Sequence, residues 1–392
     1  MAAASSPKVL VIGGGIGGLN AAVALRKASI DVTVFERLTD MRKAQRGLAF
    51  LLWHNGMRVL ESLGLADQAH AVGSGEIERF ETLTPDGTVV WGWDVTELTR
   101  KLGSAYPVGI QRTNLHEVLL ESLGPEALKL GRECVSFEQN EDGVTARFAD
   151  GGEERGDILV DAEGIGSVLR DQVIGRAEPR YSGITLWHTI VDFDHEVMRH
   201  PAFRELGAPG VRFKSFPVTE TQMYWSCLAK APQGEQDPEE GPKRRILELT
   251  REFAEPTRAL IEAASAIYRA DITGREPARV WGQGRMTMLG DAVHPTTPVL
   301  GQGASQAMED GLVLSKCLSG YDDVVAALRA YEAIRIPRTT KISKQSWSTA
   351  QRSMVSNPMY AISILIQKRL RPLIVKGYQN TVSYDASVAA QP

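Results

Sequence analysis

Hydrophobic and polar positions along this chain alternate between two periods. Val9 to Ile12 is a short unbroken apolar run of the kind buried in a parallel sheet, and Leu19 to Lys27 has the Ala, Leu and Arg content and spacing of a helix. Asp31 to Phe35 reads as a second strand. The pattern then predicts a helix over Asn114 to Leu123, and strands over Val135 to Gln139, Val144 to Phe148 and Arg155 to Val160, parted by DG and GG turns. Gly183 to Phe193, Val211 to Pro217 and Gln222 to Lys230 are rich in β-branched and aromatic residues, as strands of an antiparallel sheet are. Ala231 to Pro242 is a surface loop by its proline, glycine and acidic content, and Lys243 to Ala264 is helical on either side of Pro256. Met286 to Leu289 is one more buried run, followed by a helix over Gly303 to Leu318.

Between the first strand and first helix stand five glycines in six positions, Gly13 to Gly18, interrupted by Ile16. Gly13, Gly15 and Gly18 satisfy G-x-G-x-x-G: a tight turn, a close approach of main chain to a pyrophosphate, and close packing of helix on strand. Glu36 ends the second strand, where a carboxylate meets a ribose hydroxyl, and Arg37 follows it. The order of elements points to an α/β fold in which a nucleotide-binding domain is interrupted by an antiparallel sheet domain. We place the nucleotide domain at residues 1–75, 99–178 and 278–345, the sheet domain at 76–98 and 179–277, and a C-terminal helical segment at 346–392.

The 392 residues carry a net charge of −4 with no basic tract, which argues against nucleic acid as a partner. Three widely spaced cysteines, Cys134, Cys227 and Cys317, suit reduced thiols, and no Cys/His cluster suggests a metal. With neither a signal peptide nor an apolar stretch of about 20 residues, the expectation is a cytoplasmic monomer or homodimer.

Near residue 290 the chain reads GDAVHPTTPVLGQGASQAMED, which resembles the group A (single-component) FAD-dependent aromatic monooxygenases at Gly290, Asp291, Ala292, His294, Pro298, Gly301, Gln302, Gly303, Glu309 and Asp310. The likeness covers most of the chain and extends to salicylate hydroxylase-like and zeaxanthin epoxidase-like members. It implies the para-hydroxybenzoate hydroxylase fold: a Rossmann-like FAD-binding domain of GR2 type interleaved with an antiparallel substrate sheet, plus C-terminal helices. It further implies that Asp291 holds the ribityl chain, that Pro298 to Ala304 brings main chain against the flavin ring, and that His294 is architectural.

A middle stretch, DILVDAEGIGSVLR, is similar to the family motif at Ala162, Gly164, Ser167 and Arg170, but has Glu163 where aspartate is usual and Asp161 where glycine is usual. The resemblance makes Glu163 and Gly164 cofactor residues, with Arg112 reaching the flavin side and Arg46 and Gly47 in a loop passing the ring. Gly17, like Ile16 and Gly18, falls in the phosphate turn. Asn55 and Gly56 read as a turn starting a helix.

The implied activity is NAD(P)H-consuming hydroxylation of an aromatic or conjugated small molecule by O2 through a flavin C4a-hydroperoxide. Alternatives are an epoxidase or oxidative-decarboxylating variant, or a flavin oxidase or dehydrogenase that uses no NAD(P)H. The substrate pocket should be walled by the sheet domain. Trp187, Trp225 and Pro298 are its candidate lining, and His188 and Tyr224 are candidate catalytic groups, with the restriction that only one residue of each adjacent pair in a strand faces the pocket. The tail from Met359 to Tyr378 mixes apolar and basic residues in helical spacing before Pro372, and is expected to pack on the domain or on a second copy rather than on a membrane.

Overall fold

The computed structural model describes residues 6–41, 48–354 and 357–389. Lys8–Ile12 sits inside a six-stranded sheet, hydrogen-bonded in parallel register to Asp31–Glu36 on one side and Ile158–Asp161 on the other. Leu128–Leu130 closes one edge, and Met286–Met288 with antiparallel Gly282–Gln283 closes the other. Val9 to Ile12 is almost wholly buried, as an apolar run covered on both faces must be. Helix Ile16–Lys27 packs on helix Gly303–Gly320 so closely that a Cβ at Gly311 would lie 2.7 Å from the Ala21 Cα.

One expected strand is two. Glu153–Gly156 joins a three-stranded antiparallel sheet while Ile158–Asp161 enters the parallel one. The crossing is at Gly156, where a Cβ would lie 2.8 Å from Leu10 Cγ, and Asp157 fixes it by accepting the Lys8 amide at 2.7 Å. A purely hydrophobic reading of Arg155 to Val160 misses that change of sheet.

The second sheet has seven strands in the order Tyr268–Gly274, Arg180–Asp192, Gln222–Lys230, Val211–Pro217, Ala202–Ala208, Arg79–Leu83, Val89–Asp94. Trp187, Phe213 and Trp225 on one face are buried against helices Pro242–Leu249 and Thr257–Glu262. The opposite face looks toward the parallel sheet.

Helix Val324–Ser353 runs across residue 346, and helix Asn357–Val382 lies over the edge of the seven-stranded sheet. The second continues through Pro372 rather than ending there. Lys368 and Pro372 are both exposed, so the missing proline N–H falls on the surface of the helix rather than in the packed interior.

Candidate active site

A cavity of about 950 Å³ lies between the two sheets, and its walls bring the two glycine-rich segments together. The three motif glycines have separate jobs. Gly13 sits at φ +108°, and a Cβ there would be 2.5 Å from the Ala162 carbonyl oxygen. A Cβ at Gly18 would be 2.0 Å from the Gly13 carbonyl oxygen, so Gly18 serves packing and does not line the cavity. A Cβ at Gly15 would meet nothing within 4 Å, because Gly15 opens on the cavity along with Ile16 and Gly17. Helix Ile16–Lys27 begins at this point with no side-chain cap, which leaves its first amides for an anion.

Glu36 is 8 % exposed, at the cavity wall. Its carboxylate accepts the Gly14 amide at 2.7 Å and the Leu38 amide at 2.9 Å, while His116 Nε2 donates to the Gly14 carbonyl at 2.9 Å. The acid therefore braces the turn as well as facing the cavity. Arg37 lines the same end, and Arg112 lines the cavity beside the Phe50 ring. Arg46 and Gly47 lie outside the described residues.

At the other end, Asp291 projects into the cavity and its carboxylate accepts no hydrogen bond from the described residues. Surrounding protein raises its pKa, with His294 and Arg112 pulling it back down. Pro298 to Leu300 forms one tight turn, Gly301 takes φ +61°, and helix Gly303–Gly320 starts without a side-chain cap. Pro298, Gly301, Gln302, Gly303 and Ala304 all reach the cavity. Gln302 Oε1 accepts from Asn55 Nδ2 at 3.0 Å and Gln306 Nε2 at 3.2 Å, whereas Gln302 Nε2 is buried without a partner.

A buried charge network holds this loop from below. Glu309 accepts from Asn55 Nδ2 at 2.7 Å, Arg335 at 2.6 Å and Arg338 at 2.7 Å. Asp310 accepts from the Gly290 amide at 2.9 Å, His294 Nε2 at 2.6 Å and Arg335 Nε at 2.7 Å. Burial pushes Asp310 up, and His294 and Arg335 more than reverse it, bringing its pKa to about 2. His294 is thus a fixed strut for the Gly290–Asp291 turn. Asn55 connects the loop to this network, a role its turn-like sequence context did not suggest.

In the middle motif Glu163 and Gly164 line the cavity. Asp161 lies fully buried behind them, accepting the Glu163 amide at 2.9 Å and the Ser167 hydroxyl at 2.6 Å. Burial and then the neighbouring Glu163 raise Asp161 to about 7. Burial also raises Glu163, partly offset by hydrogen bonds from Leu169 and Ser167.

The sheet wall corrects two residues and redefines two more. Trp187 and Trp225 point away from the cavity: the Trp187 indole donates to Asp237 at 3.0 Å and the Trp225 indole to the Leu260 carbonyl at 3.0 Å, both under the covering helices. Alternation puts their neighbours on the other face, where Leu186, Tyr224, Ser226 and Leu228 line the cavity. Burial lifts the Tyr224 phenol well above the ordinary range, which favours the proton on Oη. His188 shares the Tyr224 face, its ring centroid 6.1 Å from that of Tyr224, but is not part of the cavity wall.

Sequence reasoning did not single out Lys214, Glu205, Phe216 or Tyr378, all of which line the cavity. Lys214 Nζ donates to the Val299 carbonyl at 2.9 Å and pairs with Glu205 at 3.3 Å, joining the sheet to the Pro298 turn. The period-2 pattern of Val211 to Pro217 puts Lys214 and Phe216 on one face; it does not say which face meets the cavity.

Residues 6–346 match the family model described as the FAD binding domain. The chain is 38 % identical over 345 residues to the aurachin C monooxygenase/isomerase of Stigmatella aurantiaca, covering 88 % of each. It is 35 % identical over 358 residues to a 3-amino-4-hydroxybenzoate 2-monooxygenase of Streptomyces platensis, covering 87 % of each. The structure of Klebsiella pneumoniae HpxO complexed with FAD and uric acid superposes with a TM-score of 0.88 at 29 % identity over 96 % of both chains. With the fold, the two glycine-rich walls and these likenesses in agreement, the chain belongs to the FAD binding domain family and is a flavoprotein monooxygenase of the aromatic-hydroxylase type.

Proposed function

We propose that this protein hydroxylates a planar aromatic or conjugated molecule held between the Pro298–Gly303 turn and the sheet face around Tyr224, with NAD(P)H as reductant. The observation that carries the reading is the single cavity whose walls run from the Gly13–Gly17 turn to an apolar sheet face.

Three features fit FAD. Gly15 leaves room for a phosphate where any other residue would project, Gln302 Nε2 is a buried donor lacking a partner, and two uncapped helix starts face the same space. In this reading Glu36 and Arg37 hold the adenosine end, and Gly13, Gly15, Ile16 and Gly17 the pyrophosphate, with Gly18 permitting the turn. Arg112, Glu163, Gly164 and Asp291 flank the middle, and Pro298, Gly301, Gln302, Gly303 and Ala304 meet the ring. When bound, FAD supplies the two-electron chemistry that activates O2.

The chain's own contribution is positioning and exclusion of water. Leu186, Leu228, Phe216 and Phe203 give the substrate an apolar wall. Tyr224 Oη holds its proton beside Ser226 and donates a hydrogen bond to a polar substituent. Lys214 and Glu205 offer a paired cation and anion on the same wall, which suits a substrate carrying both a donor and an acceptor.

The test is to purify the yellow protein and supply aminohydroxybenzoates, urate, aurachin C and simple phenols with NADH or NADPH. The expected result is substrate-stimulated NAD(P)H oxidation with a product heavier by one oxygen. Stimulation without that product, for every compound, would defeat the reading.

A further inference from the structure

Helix Asn357–Val382 is held to the protein by one face only. The Tyr360 hydroxyl donates to the Gly207 carbonyl, Gln367 accepts from the Trp91 indole at 3.0 Å, and Arg371 donates to the Gly92 carbonyl at 3.1 Å. Tyr378 packs against Phe80 and lines the cavity. The outward side is apolar where a surface helix should be polar. Met359, Ile362, Ile366, Leu370 and Leu373 recur every three or four residues, so they form one stripe, with Leu365 beside it. Leu365 and Leu373 are 68 % and 67 % exposed, and the stripe together with Leu365 carries six of the exposed large hydrophobics among the described residues.

The charge on the same helix selects what covers that stripe. Between residues 357 and 382 there is no Asp or Glu, while Lys368, Arg369 and Lys376 are exposed, besides the Arg371 that is turned to Gly92, in a chain whose net charge is −4. A second copy apposed through this stripe would bring two such basic helices together with no acid on either to offset them. An anionic lipid surface satisfies both features, because acyl chains take up the apolar stripe and phosphate headgroups meet the flanking cations. No helix of the described residues is long and apolar enough to cross a membrane, so the association is with the surface.

We propose that this helix seats the enzyme on anionic membranes, with the Tyr378 end of the cavity close to the lipid interface. The proposal is independent of which molecule is hydroxylated.

The experiment is co-sedimentation of the FAD-loaded full chain with vesicles of phosphatidylcholine alone or with about 30 % phosphatidylglycerol. Binding is expected to the anionic vesicles only and to weaken as salt rises. Leu365→Ser with Leu373→Ser should lower the partition coefficient at least about tenfold, with unchanged flavin absorbance and melting temperature. Lys368→Gln with Lys376→Gln should lower it about thirtyfold. Equal binding to both vesicle types, no binding to either, or no effect of the leucine substitutions would overturn the proposal. So would a concentration-dependent dimer abolished by those substitutions, which would make a second copy the occupant.

Discussion

Gly15 and Gly18 lie three residues apart and should answer the same substitution in opposite ways. Gly18→Ala places a methyl 2.0 Å from the Gly13 carbonyl, so the turn must shift. The expected cost is about 3 kcal/mol, seen as a fall of roughly 5 °C in the melting temperature of the cofactor-free protein. Gly15→Ala meets no protein atom within 4 Å and should leave that temperature unchanged while weakening FAD binding at least about tenfold in a fluorescence titration. Asp161 supplies a pH signature. Its folded pKa, about 7, exceeds the 3.8 of the free side chain, so its contribution is most favourable below that lower value and is lost as pH rises through 7. The loss is on the order of 4 kcal/mol. Asp161→Asn should therefore flatten the decline in denaturation midpoint between about pH 4 and 7; an unchanged slope would contradict the assignment. At this scale the turn glycines were legible because turns and close approaches restrict residue type, and Asp291 because the motif around it resembles the family's, whereas Lys214 was not, since nothing local distinguishes a cavity lysine from a surface one.

Among elements, strand alternation decides what the aromatic residues do. Trp225→Phe removes an indole donor from the Leu260 carbonyl and should lower stability while leaving substrate KM within about twofold, because the ring lies under the covering helices. Leu228→Trp, on the cavity face, should raise KM strongly and leave the flavin spectrum intact. The sequence carried the period of Gln222 to Lys230 clearly, but which face turns inward is set by helices Pro242–Leu249 and Thr257–Glu262, distant along the chain. Helix Val324–Ser353 is a second case. Its Arg335 is fully buried and ion-paired to both Glu309 and Asp310, so Arg335→Met removes the one cation they share and leaves Glu309 to Arg338 and Asp310 to His294. A loss of about 3–5 kcal/mol in urea unfolding is expected. Glu309 and Asp310 were visible as a motif, while their partners, some 25 residues on, were not.

For the whole molecule, strand Val108–Gln111, paired antiparallel to Ala49–Leu52 outside the two large sheets, abuts the seven-stranded sheet at Gly109. A Cβ there would lie 2.0 Å from the Pro217 carbonyl at the end of a strand of the seven-stranded sheet. Gly109→Ala should force that contact open, and calorimetry should then give a higher ratio of calorimetric to van't Hoff enthalpy than in the parent protein. The interleaving itself was readable, because strand-rich and helix-rich stretches alternate along the chain; the contacts that lock it were not. The cavity draws its walls from Ile12 near the start of the chain to Tyr378 near its end. During synthesis the glycine turn emerges from the ribosome hundreds of residues before the loop and helix that complete the pocket. A nascent chain thus has no complete place to retain its flavin until the segment through Tyr378 has been made.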